Sequence, residues 1–333
     1  MAAILDCVEP RGTITPADPF DREADAKALY DAVKGLGTRE STITEILTKR
    51  TNAQRQDIVE AYSLEYGADL LEVMKSELSG SYLRVVEGLL DEPQLLLAHI
   101  IHTNATNTSL LAPSDLALKI FEIIFPLNYV EISCIKEVYH QAFGTELEGD
   151  LVSHLYGPWI GILIDITKGS RNENAQVDDA SVESDVEYLM ENAVDSWMLP
   201  NMRIEDLLTK SSLPHLTGVF RKLDDAWTQK TGKSLTDAIK VSNLTAEQKD
   251  GYLMIVNMCV DYIKFNAMSL HRAMAGLGTD DDTLITIIVL RAELDLENIK
   301  VIFKTLYGTS LSDAVSGDTS GDYRAALLAI IGD

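Results

Sequence analysis

Two stretches of this 333-residue chain combine residue types that can cage a hard cation. Val33-Lys34-Gly35-Leu36-Gly37-Thr38 is followed by Glu77, and Met274-Ala275-Gly276-Leu277-Gly278-Thr279 is followed by Asp318. In both, the acid stands 40 residues beyond the second glycine. A Gly-x-Gly turn reaches positive φ without a Cβ clash, so it can aim several backbone carbonyls at one point. Calcium takes about six to eight oxygens in loose geometry, from carbonyls, a bidentate carboxylate and water. Three carbonyls and one bidentate acid supply about five of them, which leaves room for water or a phosphate oxygen. The chemistry implied is a metal bridge to an outside oxygen ligand.

The elements that must position these groups are short helices. Residues 1–20 hold Pro10, Pro16 and Pro19 without helical periodicity and read as an extended head. From Asp21 onward Ala24, Ala28, Leu29 and Ala32 recur at helical steps and predict one buried face. Thr38 is expected to cap the next helix, with Ile43, Ile46 and Leu47 inside. Thr51-Asn52 opens a third helix that Gly67 ends, a short fourth carries Leu70, Leu71 and Met74, and Glu77 falls in the turn after it. Leu83, Val86 and Leu90 line a fifth.

This block repeats. Tyr66-Gly67 recurs as Phe143-Gly144, Thr231-Gly232 and Tyr307-Gly308. Leu70, Leu147, Leu235 and Leu311 each stand three residues past the glycine, and Met74, Leu151, Ile239 and Val315 seven past it, on one helical face. The first and last copies align without a gap, from Gly35 with Gly276 to Tyr82 with Tyr323. Ten residues past each glycine the acid slot reads Glu77, His154, Ser242 and Asp318. The loop slots of the middle copies read Leu110, Ala112 and Ser114, then Met198, Pro200 and Met202, so neither has the glycines or the acid. A gap would instead bring Glu247 opposite Asp318. The predicted organisation is a head (1–20), repeat 1 with a calcium site (21–92), a degenerate repeat 2 (93–168), a polar linker (169–183), a degenerate repeat 3 (184–262) and repeat 4 with a calcium site (263–333).

Lys-Gly-Leu-Gly-Thr, with its acid just before Leu78-Ser79-Gly80-Ser81-Tyr82, resembles the first repeat of an annexin. Met-Ala-Gly-Leu-Gly-Thr, with Gly317-Asp318-Thr319-Ser320-Gly321-Asp322-Tyr323, resembles the fourth. The resemblance implies an all-α fold of four five-helix repeats in a curved, right-handed superhelical disc. It implies calcium-dependent peripheral binding to anionic phospholipid such as phosphatidylserine. The metal ligands would be the carbonyls of Val33, Gly35 and Gly37 with Glu77, and those of Met274, Gly276 and Gly278 with Asp318. By the same analogy secondary ions fall at Thr38 with Glu40 and at Thr279 with Asp281, and Lys34 meets lipid phosphate. The departure from an annexin with calcium in most repeats lies in the two middle copies.

Composition sets bounds. A net charge of −24 disfavours direct electrostatic attraction to nucleic acid or to anionic lipid, so a cation must bridge any acidic membrane. Three scattered cysteines and the lack of an apolar leader predict reduced thiols and a cytoplasmic protein that meets membranes peripherally. Trp159, Trp197 and Trp227 suit burial between helices better than lipid anchoring. His99 and His102 share a helical face without the further ligands zinc needs, and Asp280-Asp281-Asp282 fits an acidic first helical turn. No GxSxG, phosphate-binding GxxxxGK[ST] or CxxC occurs, so no enzyme is predicted. The runner-up function is a scaffold joining membrane to cytoskeleton or to itself, with calcium secondary. Further partner expectations are a protein at the head segment and self-association on membranes.

Overall fold

Four left-handed glycines punctuate the helices at matching places. Gly67, Gly144, Gly232 and Gly308 have φ of 63°, 69°, 73° and 72°, and each caps a helix by donating its N–H to the carbonyl four residues back. The computed structural model describes residues 9–35, 37–106, 113–173, 176–199, 203–276 and 278–332. Among them the chain forms twenty α-helices, one 3-10 turn (Val194–Ser196) and no strand. The first repeat is α1 (Arg22–Val33), α2 (Glu40–Leu47), α3 (Asn52–Tyr66), α4 (Leu70–Glu77) and α5 (Gly80–Leu90). The second is α6 (Pro93–Thr106), α7 (Pro113–Ile124), α8 (Tyr129–Phe143), α9 (Leu147–His154) and α10 (Ile160–Thr167). The third is α11 (Asp179–Glu191), α12 (Ile204–Lys210), α13 (Leu213–Thr231), α14 (Leu235–Val241) and α15 (Ala246–Val260). The fourth is α16 (Tyr262–Ala273), α17 (Asp281–Arg291), α18 (Leu296–Tyr307), α19 (Leu311–Asp318) and α20 (Gly321–Ile331).

The chain divides into two compact units. The loop-bearing unit takes its described residues from Cys7–Leu96 and Asn266–Asp333, and the other from Leu97–Phe265. In the loop-bearing unit α1 lies on α3, α5 packs on α17 and α20, and α2 packs on α20. Leu29, Leu47, Leu70, Met74, Val85, Leu284, Val315 and Leu327 are fully enclosed there. Residues 9–20 run without helix along the same unit, where Ala292 O accepts from Thr13 N–H at 2.7 Å and from Ile14 N–H at 3.0 Å. The other unit is built on α11 against α13, α13 against α15 and α10 against α7 and α12. Its centre is an aromatic stack in which Tyr252 meets Trp159 and Trp197 edge-on at 4.9 and 5.2 Å.

Several local expectations shift, each for a visible reason. Ala24 is exposed, and the inner face of α1 is Asp25, Ala26, Leu29 and Ala32. Asp25 turns inward because Arg50 grips both its carboxylate oxygens, at 2.6 and 2.9 Å. On α5 Leu83 is only half-buried, while Tyr82, Val85, Val86 and Leu89 face the core. Glu77 and Asp318 are the last residues of α4 and α19, not turn residues. Helix α11 starts at Asp179, within the stretch expected as linker, because the Asp178 carboxylate accepts from Ser181 N–H. Thr103–Thr106 belongs to α6, and Asn107–Ser109 lie outside the described residues.

Candidate functional site

The first loop leaves α1 in extended backbone at Lys34, whose N–H still bonds Tyr30 O at 3.1 Å. Gly35 and Gly37 then adopt φ of 119° and 88°, and Arg39 N–H closes the loop on Ala32 O at 2.9 Å. The second loop repeats the path. Met274 N–H bonds His271 O at 3.2 Å, Gly276 and Gly278 have φ of 117° and 95°, and Asp280 N–H closes on Ala273 O at 2.8 Å. A Cβ built on any of these four glycines meets nothing within 4 Å. Backbone conformation, not crowding, therefore requires glycine there. Leu36 and Leu277 lie outside the described residues.

Each loop meets its acid through a threonine. Thr38 Oγ1 donates to Glu77 Oε2 at 3.2 Å, and Thr279 Oγ1 donates to Asp318 Oδ2 at 2.6 Å and to Asp318 O at 3.3 Å. The helices carrying the acids are fixed by the left-handed glycine before them and by two enclosed side chains, Leu70 and Met74 or Leu311 and Val315. Three residues past the second of these the acid emerges, exposed at Glu77 and half-exposed at Asp318. Loop and carboxylate thus come together in both copies. Thr38 spends its hydroxyl on the acid, so Arg39, not Thr38, is the N-cap of α2 and makes no side-chain cap. Among the described residues no three His, Cys, Asp or Glu side chains cluster as metal ligands. A cation at these loops would draw on backbone carbonyls and one carboxylate, a donor set that suits calcium.

The surrounding residues divide. Lys34 is exposed, with Nζ 5.1 Å from the centre of the Tyr30 ring, and that ring stacks on Tyr66 at 4.0 Å. In the last repeat His271 stacks on Tyr307 at 3.8 Å, beside a cavity of about 340 Å³ lined by Met274, Phe303, Tyr307 and Asp318. Glu40 starts α2, half-exposed, and its carbonyl accepts from Tyr82 O–H at 2.9 Å. Asp281 differs: Oδ1 accepts from Tyr323 O–H at 2.8 Å and Oδ2 from Ser81 Oγ at 2.7 Å. A second ion at Thr279 and Asp281 would compete with two hydrogen bonds. Burial and this bond to Asp281 push the Tyr323 hydroxyl well above the usual phenol range, so it remains a donor. The two threonine bonds and the Asp281 junction escaped the sequence reading. Only the recurrence of Thr38 as Thr279 and of Tyr82 as Tyr323 hinted at them.

The middle repeats differ at the same slots. His154 ends α9 with Nδ1 bonded to Asp150 O at 2.9 Å, and Ser242 Oγ donates to Ile239 O at 2.7 Å. Glu247 lies in the first turn of α15, and its carbonyl accepts from Trp159 Nε1 at 2.8 Å. Ser114 is buried on α7, Met198 lies in the turn after the 3-10 helix, and Leu110, Ala112, Pro200 and Met202 fall outside the described residues. Trp159 and Trp197 are enclosed and Trp227 half-exposed. His99 and His102 do share a face of α6, where both rings meet Phe143 and His102 also bonds Tyr139 O–H.

A family model described as Annexin matches residues 24–89 and 265–330. Over 312 residues the chain is 37% identical to annexin A13 of Mus musculus, covering 94% of this chain and 95% of that protein. The chain belongs to the annexin family. It is similar also to annexin A5 of Homo sapiens, 34% identical over 327 residues with 97% and 98% coverage. The solved structure of annexin III superposes with a TM-score of 0.86 at 32% identity, over 98% of each chain. Annexins as a family are calcium-dependent phospholipid-binding proteins. Apart from Phe265, both matched segments of this annexin lie in the loop-bearing unit.

Proposed function

We propose that this annexin attaches peripherally to anionic phospholipid through two calcium cages. One is formed by the carbonyls of Val33, Gly35 and Gly37 with Glu77, the other by those of Met274, Gly276 and Gly278 with Asp318. The observation that supports this reading most is the duplicate construction: paired positive-φ glycines, an identical closing bond and a threonine reaching the acid. Calcium held there would supply the positive charge that joins a −24 protein to an anionic surface. Each cage has one carboxylate, so it binds calcium weakly until outside phosphate or carboxylate oxygens complete the shell, and each ligand then strengthens the other. Two cages on one compact unit make the attachment bivalent. Lys34 adds a cation beside the first, and a further ion at Thr38 and Glu40 fits the half-exposed start of α2. Repeats 2 and 3 carry no cage, and the protein works from the cytoplasm. No described helix is long and apolar enough to cross a membrane.

Co-sedimentation with phosphatidylserine vesicles across a calcium titration tests this. The parent should bind only with calcium. Glu77→Gln or Asp318→Asn should each move the midpoint to severalfold higher calcium, and the double variant should lose calcium-dependent binding. Should the double variant bind at the parent's calcium level, the loops are not the membrane sites and the scaffold reading takes precedence.

A further inference from the structure

Asp281 stands where the local frameworks of both loops converge. Its backbone is two residues past Thr279, so it continues the second loop into α17. Its Oδ2 accepts from Ser81, four residues past Glu77 and the second residue of α5. Its Oδ1 accepts from Tyr323, five residues past Asp318 and the third residue of α20. Next to it Asp282 pairs with Arg84 of α5, which binds the same two helix starts again. One carboxylate therefore touches the second loop's own helix, the turn after the first acid and the turn after the second. The matching place in the first repeat lacks this arrangement. Tyr82 O–H reaches the Glu40 carbonyl and Thr44 Oγ1, not a carboxylate.

We infer that Asp281 is a positioning residue shared by the two cages, and that Ser81 is the contact through which occupancy of one changes the affinity of the other. The inference rests on the calcium reading above and adds a connection between its two sites. The physical basis is ordering. Fixing Thr279 to Asp281 at the second loop fixes the partner of Ser81, and with it the start of α5 just past Glu77 at the end of α4. Whichever loop is ordered first bears the conformational cost, and the other then closes with less left to order. The coupling is reciprocal, as any equilibrium linkage must be.

The test is made in solution, without membrane, so that bivalent attachment cannot imitate coupling. With the full chain labelled at glycine nitrogen, calcium is titrated while the amide signals of Gly35 and Gly37, and of Gly276 and Gly278, are followed separately. In the parent, Glu77→Gln should raise the midpoint at Gly276 and Gly278 by about fivefold, the low end of ordinary coupling between sites. In a Ser81→Ala background the midpoint at those glycines should be the same with or without Glu77→Gln. Ser81→Thr, which keeps the hydroxyl, should restore the dependence. Ser81→Ala leaves the Tyr323–Asp281 bond in place, and melting of the calcium-free proteins should place it close to the parent. No effect of Glu77→Gln on the distant glycines overturns the inference, and so does an equal effect in both backgrounds. Absence of any response at either glycine pair in the parent overturns the calcium reading itself.

Discussion

Asp91 is a carboxylate in the wrong place for a charge, and replacing it by asparagine should stabilise the protein at neutral pH. It is the C-cap of α5, 6% exposed, at the negative end of the helix dipole and one turn past Glu87. Burial, then the neighbouring Glu87, push its carboxyl from 3.8 up to about 6, while Lys75 pulls it back. Glu87 is raised as well, by burial first. The sign follows from proton linkage. Native Asp91 holds its proton more tightly than the unfolded chain does, so its penalty on the native state grows as pH rises from about 4 to about 6 and is complete above that. A difference of about two pH units corresponds to roughly 3 kcal/mol, which is the ceiling for the gain. The substitution keeps the backbone contacts, since the Asn52 amide donates to the Asp91 carbonyl and Asp91 N–H to Glu87 O. Denaturant unfolding of parent and Asp91→Asn, calcium-free at a series of pH values, should show the variant ahead by about 2–3 kcal/mol at pH 7 and level near pH 4. A difference that does not change with pH refutes the argument, and so does a variant less stable at pH 7.

Two further outcomes follow from packing. Gly251→Ala places a methyl group on the indole of Trp159, which is 2% exposed and fixed by its bond to Glu247 O. The variant should lose at least about 1–3 kcal/mol in calcium-free melting, the ordinary cost of overpacking a closed core. Cys259 is buried and its thiol pushed up to about 12 by burial, whereas Cys134 is exposed. Native alkylation at about pH 8, read by peptide mass spectrometry, should therefore modify Cys134 and spare Cys259 until denaturant is added.

Much of the fold was legible because it depends on residues with single physical meanings. A glycine that must turn left-handed, a leucine three residues on and an apolar residue seven on locate the short fourth helix in every repeat, and all four glycines and all eight apolar positions hold. The loop glycines were equally plain, since their φ values need glycine and no Cβ neighbour explains them. What sequence spacing does not reveal is how polar side chains share partners. Asp25 turned inward to meet Arg50, Thr38 reached for Glu77 instead of capping α2, and Asp281 took hydroxyls from Ser81 and Tyr323. Ser81 lies 200 residues from Asp281, and no period or motif joins the two.

The middle repeats show that the helical scaffold forms without the acid. Gly144 and Gly232 keep the left-handed turn, and Leu147, Leu151, Leu235 and Ile239 stay enclosed, so α9 and α14 form without any acid at their ends. In the acid slot His154 and Ser242 bond back to carbonyls of their own helices. Those bonds satisfy each polar group locally and demand nothing from a loop across the way. The carboxylates of Glu77 and Asp318 have no such local bond; their hydroxyl partners come from the loops that begin each repeat. A helix that forms with His, Ser, Glu or Asp in this slot does not need the acid in order to form. The acid is free to serve a ligand, and its replacement by the matching amide should cost the fold little while removing the charge on which the proposed cage would rely.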